Sequence, residues 1–299
     1  MNNIKIDCVL DAKANLGEGA IWSVKDQILY WVDINRGLLC KYNPENGKNI
    51  AIDFKKPLGC FALKSNLNVI LALTDGFFEF DQNQKTKTLI DSTESNILEN
   101  RFNDGTVDIK GRFYAGTMAI NGSNIGENAK GSLYCLEPSG KVNKTMDGFY
   151  TINGLAFSPD YKTAYVSDSA YWIQTIWAYD YDLDNGIWSN KRTFFDTKNV
   201  AGRPDGGCID AEGCYWMAGV SGCELLSITP QGKIDVTIKM PIEKPTRIAF
   251  GGSKLDTMYV TSIGQDNITE GTAKLQPKAG GLFALCIPGV KGIEFPCYG

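Results

Sequence analysis

Short hydrophobic runs broken by clusters of glycine, proline and asparagine set the rhythm of this chain. The runs come in pairs. Residues 28–34 are followed by 37–42, 68–73 by 76–81, and 112–118 by 131–136. The pattern returns in 163–168 with 176–180, 214–218 with 225–228, and 257–261 with 281–286. Runs this short, rich in aromatic and β-branched residues and closed by turn formers, predict strands joined in hairpins. No stretch carries sustained helical periodicity. The six pairs recur about every 40 to 50 residues, the interval of propeller blades. The predicted fold is therefore all-β, a six-bladed β-propeller, in one domain over residues 1–299. Residues 4–10 alternate as Ile4, Ile6, Cys8 and Leu10 and read as a further strand. That strand is expected to pair with the C-terminal strands in one blade, because closure removes exposed edges.

Several polar or aromatic features fit this frame without adding chemistry. The turns 43–48 and 184–186 are hairpin turns. The stretch from Asp180 to Gly186 resembles a calcium loop, but its glycine is displaced by one position and Lys191 stands at the twelfth, so a hairpin is preferred. Trp31, Trp177 and Trp216 are expected to pack between blades. Residues 121–130 read as a polar loop that closes over the channel.

Composition narrows the function. Hydrophobic residues make up 43% of the chain, enough for a sizeable core, and the net charge of −4 leaves no footprint for nucleic acid or an anionic membrane. The most apolar segment, residues 281–290, is too short to span a bilayer, and the N-terminus has no signal-peptide core. Nine cysteines without paired spacing imply reduced thiols and a cytoplasmic protein. There is no histidine at all. Serine and cysteine triads, histidine bases and imidazole zinc sites are thereby excluded. Chemistry has to rest on carboxylates, amides, arginine, lysine, tyrosine or an oxygen-ligated metal.

Four glycine-bearing stretches concentrate such groups: 16–19 with Glu18, 100–105 with Arg101, Asn103 and Asp104, 151–156 with Asn153, and 203–210 with Asp205. Each is read as a tight loop at the start of a blade, where a propeller brings distant segments together at its axis. Glu18, Asn153 and Asp205 would then offer three oxygen ligands and two negative charges to a hard divalent cation. Asn-Gly and Asp-Gly are also ordinary turn formers, and for any single loop spacing alone favours that reading.

The ordered set of motifs goes further. Gly17-Glu18-Gly19 with Trp22, Trp31-Val32-Asp33-Ile34, Asn100 to Gly105 and Ala115-Gly116-Thr117-Met118 resemble the family of regucalcin (senescence marker protein), gluconolactonases and luciferin-regenerating enzyme. So do residues 153–160, Pro204-Asp205-Gly206 and Ala249-Phe250-Gly251-Gly252. The resemblance is colinear over about residues 15 to 285. It implies hydrolysis of a sugar lactone with one divalent ion (calcium, zinc, manganese, magnesium or iron(II)) held by Glu18, Asn153 and Asp205. It also implies that Arg101 and Asn103 hold the substrate, and Asp205 is then the expected general base or water orienter. Regucalcin-like members carry acidic residues after Gly-Thr-Met, where this chain has Ala119 to Ser123. Asn121 is the residue there able to hydrogen-bond a sugar hydroxyl. A monomer or weak oligomer is expected. The rival readings are a phosphotriesterase-like esterase and a calcium- or protein-binding propeller without catalysis.

Overall fold

Six antiparallel sheets of four strands each stand around a central channel in the computed structural model, which describes residues 4–120, 130–267 and 276–299. After β1 (Ile6–Leu10), blade 1 comprises β2 (Gly17–Ser23), β3 (Ile28–Asp33), β4 (Leu38–Asn43) and β5 (Lys48–Asp53). Blade 2 comprises β6 (Leu58–Leu63), β7 (Val69–Leu73), β8 (Gly76–Asp81) and β9 (Thr86–Asp91). Blade 3 follows with β10 (Asn100–Val107), β11 (Phe113–Ala119), β12 (Gly131–Leu136) and β13 (Val142–Phe149). Blade 4 is built from β14 (Ile152–Phe157), β15 (Thr163–Asp168), β16 (Thr175–Asp182) and β17 (Ile187–Asp196). Blade 5 takes β18 (Arg203–Ile209), β19 (Tyr215–Val220), β20 (Glu224–Ile228) and β21 (Ile234–Lys239). Blade 6 has β22 (Pro245–Gly251), β23 (Thr257–Ser262) and β24 (Leu282–Cys286), with β1 as its outermost strand. Ile6 pairs with Leu285 and Cys8 with Phe283, so the predicted closure is present. Among the described residues the only helical pieces are two single 3-10 turns, Thr197–Asn199 and Gln265–Asn267.

The hydrophobic pairs that mark the sequence are the second and third strands of every blade. They fill the spaces between blades in six separate clusters, one for each neighbouring pair of blades. Trp31 and Trp216 lie inside two of them and Trp177 packs against a third. Burial of each large side chain there contributes roughly 1.5–3 kcal/mol, so the ring is held chiefly by these faces. The hairpin turns at 43–48 and 182–187 are present, and all nine cysteines are free.

The four stretches read as loops are instead the innermost strands. Asn100 to Gly105 opens β10, and Glu18, Asn153 and Asp205 lie within β2, β14 and β18. Their composition misleads for two reasons. Each inner strand slips register with its neighbour near its start, between Glu18 and Ile21, Leu58 and Cys60, Phe102 and Gly105, Asn153 and Ala156, Pro204 and Gly207, and Pro245 and Ile248. A bulge of this kind breaks alternation and re-aims side chains, here toward the axis. Crowding around the axis also demands glycine. A Cβ on Gly59 would lie 2.2 Å from the Phe102 carbonyl carbon, and one on Gly154, where φ is +62°, would lie 2.2 Å from the Tyr215 hydroxyl. Asn121 and all of the predicted closing loop except Lys130 lie outside the described residues.

Past β24 the chain crosses the face opposite the bulges. Gly292 N–H donates to Leu255 O (2.8 Å), Tyr298 N–H to Leu63 O (2.8 Å) and Gly299 N–H to Gly111 O (3.2 Å). The tail thus ties blade 6 to blades 2 and 3.

Candidate active site and metal centre

At the start of the inner strands the bulges bring two acids, Glu18 and Asp205, near each other. Glu18 and Asp205 are buried, at 6% and 7% exposure, and neither forms an ion pair with a described residue. Burial raises the Glu18 carboxyl well above its usual range, and the charges of Asp205 and Asp104 add to it. Burial likewise raises Asp205; Arg203 opposes the rise, and Asp104 reinforces it. In their ionised form two desolvated carboxylates held together with no counter-charge in contact are unfavourable unless a cation joins them.

Asn153 supplies the third oxygen, and its orientation is set by its neighbours. Its Nδ2 donates to Ser169 Oγ (2.8 Å), while its Oδ1 accepts from Asn103 Nδ2 (2.9 Å). Ser169 Oγ–H in turn donates a hydrogen bond to the Pro204 carbonyl, one residue before Asp205. The amide is therefore fixed oxygen-inward, with a second lone pair on Oδ1. Among the described residues no three His, Cys, Asp or Glu side chains converge. The donor set is two carboxylates and an amide, a combination suited to a hard divalent ion with water completing its shell.

Asp104 is different in kind. Arg247 donates to both its oxygens through Nη1 (2.8 and 3.0 Å), Leu155 N–H donates to Oδ2 (3.1 Å) and Gly105 N–H to Oδ1 (2.8 Å). Burial acts against the Arg247 charge, yet Asp104 holds its pKa above the ordinary value. With its charge matched and its oxygens engaged, Asp104 serves as a brace that ties β10 to β14 and β22 beneath the acidic pair.

Arg101 and Asn103 lean over the same centre. Arg101 Nη1 donates to Asn103 Oδ1 (2.6 Å) and Phe102 O (2.9 Å). Burial lowers its pKa to about 10, against the pull of Glu18 and Asp205. Asn103 spends its amide hydrogens on Ile152 O (2.8 Å) and Asn153 Oδ1. Asn103 is thus a link from Arg101 to Asn153, with one oxygen lone pair left for a ligand.

Five of the residues singled out in the sequence, Glu18, Arg101, Asn103, Asn153 and Asp205, meet at this end of the channel. Sequence reasoning missed the work of Asp104, Ser169, Arg203 and Arg247. Arg247 leaves a signal nonetheless: a guanidinium inside the apolar run 245–251 has to be buried, and a buried charge needs a partner.

The fold and site together define a six-bladed propeller with an acidic centre on its axis. A family profile described as "SMP-30/Gluconolactonase/LRE-like region" matches residues 16–264, and the chain belongs to that family. Regucalcin of Xenopus laevis is 38% identical over 295 residues, covering 98% of both chains, and human regucalcin is 34% identical over the same span and coverage. Among solved structures, a luciferin-regenerating enzyme superposes with a TM-score of 0.91 at 28% identity, covering 99% of each chain. The calcium-binding protein regucalcin of Agrobacterium tumefaciens superposes with a TM-score of 0.91 at 25% identity, covering 99% of this chain and 98% of its own. A gluconolactonase of Xanthomonas campestris shares the fold, with a TM-score of 0.76 at 21% identity and coverage of 96% and 91%.

Proposed function

We propose that this protein hydrolyses a sugar lactone to the corresponding aldonic acid, with one divalent ion held by Glu18, Asn153 and Asp205. The observation that carries the reading is the buried pair Glu18 and Asp205 beside an oxygen-inward Asn153, on three separate strands and without a bound counter-charge. Family membership supports the same conclusion.

When bound, the ion supplies Lewis acidity to the lactone carbonyl and lowers the pKa of a coordinated water. The chain supplies position and proton transfer. Asp205 accepts the proton of the attacking water, because the chain has no histidine to take that role. Arg101 directs guanidinium hydrogens at the ring and hydroxyl oxygens of the sugar, and Asn103 holds Arg101 in place. An ester leaving group needs little acid assistance, so a site without a strong general acid suffices. The oxygen-only donors fit calcium, magnesium, manganese, iron(II) or zinc. The free cysteines suit a reducing cytoplasm, and no helix among the described residues is long and apolar enough to cross a membrane.

The test is pH-stat hydrolysis of glucono-, galactono-, xylono- and arabinono-lactone by chelated protein with each metal restored in turn. Metal-restored turnover well above the spontaneous rate is the expected result. A folded, metal-bound protein that turns over none of them would leave the binding-protein reading in its place.

A further inference from the structure

The chain has six arginines, and four of them are ion-paired: Arg36 with Asp33, Arg112 with Asp108, Arg192 with Asp180 and Arg247 with Asp104. The two that form no ion pair among the described residues, Arg101 and Arg203, both stand at the acidic centre. Arg203 opens β18 two residues before Asp205, whose carboxyl feels its charge. One Nη1 hydrogen of Arg203 goes to Ser169 O (2.8 Å), its guanidinium carbon lies 4.0 Å from the centre of the Tyr171 ring, and its buried Nε has no partner. Tyr171 is 60% exposed on the loop between β15 and β16, which rises at the same end of the channel as the start of β14. A guanidinium braced on an aromatic face, with donors left over, is an arrangement that takes carboxylate or phosphate oxygens.

Charge counting points the same way. Asp104 and Arg247 cancel each other. A divalent ion on Glu18 and Asp205 cancels those two, and Arg101 and Arg203 remain as two positive charges with no ion-pair partner among the described residues. If the arginines served only to neutralise the carboxylates, direct contacts like that of Arg247 with Asp104 would be expected, and none is present.

We infer that Arg203, with Arg101, binds an anionic group on the substrate, so that the preferred lactone carries a carboxylate or phosphate in addition to its ring ester. This rests on the lactonase reading for the reaction, but the anion site is testable without turnover.

Metal-loaded protein would be assayed on gluconolactone, on glucarolactone with its free carboxylate, and on 6-phosphogluconolactone. Calorimetric titrations with gluconate and glucarate would run in parallel, at low and high salt. A kcat/KM at least about tenfold higher for one acidic lactone is expected, since a site built to bond a group discriminates strongly against its absence. The preferred member of the two acidic lactones tells carboxylate from phosphate. Arg203→Met should cut kcat/KM for that lactone about tenfold more than for gluconolactone, chiefly through KM, with Arg203→Lys recovering part of the difference. Tyr171→Leu, on the exposed loop, should move discrimination the same way by less. Glucarate should bind more tightly than gluconate, with an advantage that shrinks in high salt and in Arg203→Met.

Turnover of gluconolactone with no preference for either acidic lactone and no effect of Arg203→Met on discrimination would overturn the inference and leave the lactonase reading standing. Absence of turnover on every lactone, with salt-sensitive glucarate binding lost in Arg203→Met, would do the reverse.

Discussion

The same six inner strands make both ends of the channel, and the two ends could hardly differ more. Where the strands begin, Glu18, Asn103, Asn153, Asp205 and Arg247 stand at or beside the bulges, with Arg101, Asn103 and Asn153 linked by hydrogen bonds and Arg247 bound to Asp104. Where they finish, Trp22, Val107, Phe157, Ile209 and Phe250 line an apolar cavity of about 70 Å³, covered by residues 293–296 of the tail. The change of character comes within three or four residues along these five strands. It coincides with the register slip, beyond which regular pairing with the second strand resumes. The bulge therefore separates residues chosen for chemistry from residues chosen for packing.

Substitutions on either side should split accordingly. At the polar end, Asp205→Asn should lower metal-dependent hydrolysis by about 10³-fold or more, since both a ligand and the proton acceptor change. It should also abolish the rise in melting temperature on adding metal, a shift that calorimetry reads directly. At the boundary, Arg247→Met strands the buried Asp104 charge and should cost about 3–5 kcal/mol in urea unfolding. At the apolar end, Phe250→Ala should cost a similar 3–5 kcal/mol, while the KM of the folded fraction stays close to that of the parent. A large KM change there would show that the two ends are coupled and break the division. The smallest effect concerns the metal-free protein. Glu18 and Asp205 have folded-state pKa values raised above their unfolded ones. Their contribution is fully present below the unfolded values and is lost as pH rises through the folded ones. Metal-free stability should thus fall toward neutral pH, by at most about 1.4 kcal/mol per pH unit for each proton released. Asp205→Asn should flatten that fall and make the metal-free protein about 0.5–2 kcal/mol more stable than the parent at neutral pH.

The division also explains what the sequence could convey. Middle strands such as 69–73 and 76–81 are apolar on both faces, and the hairpins between them are punctuated by glycine or asparagine, so blade number and closure were legible. Outer strands such as β9, Thr86–Asp91, are mostly exposed and read as polar turns. Inner strands were misread because a bulge, a glycine and a charged residue in succession look like a loop in one dimension. Glu18, Asn153 and Asp205 stood out by that very mixture. Asp104 carries no local sign of its role, and its partner Arg247 lies 143 residues away. That contact is set by the ring, and no local pattern encodes it. Arg203 was passed over for a similar reason: its significance is the lack of an ion pair, which only coordinates reveal.

The pairing of β1 with β24 has a consequence for biosynthesis. Ile6 to Leu10 leave the ribosome before any of blades 1 to 5, yet their partners are Leu282 to Cys286. Blades 1 to 5 can each form their sheets as they emerge, but β1 must remain unpaired until those five blades and most of the sixth have been made. During that interval the nascent chain displays an open sheet edge at each end of an incomplete ring. Synthesis halted shortly before residue 282 should therefore leave an arc that clings to chaperones, and a few residues more should release it.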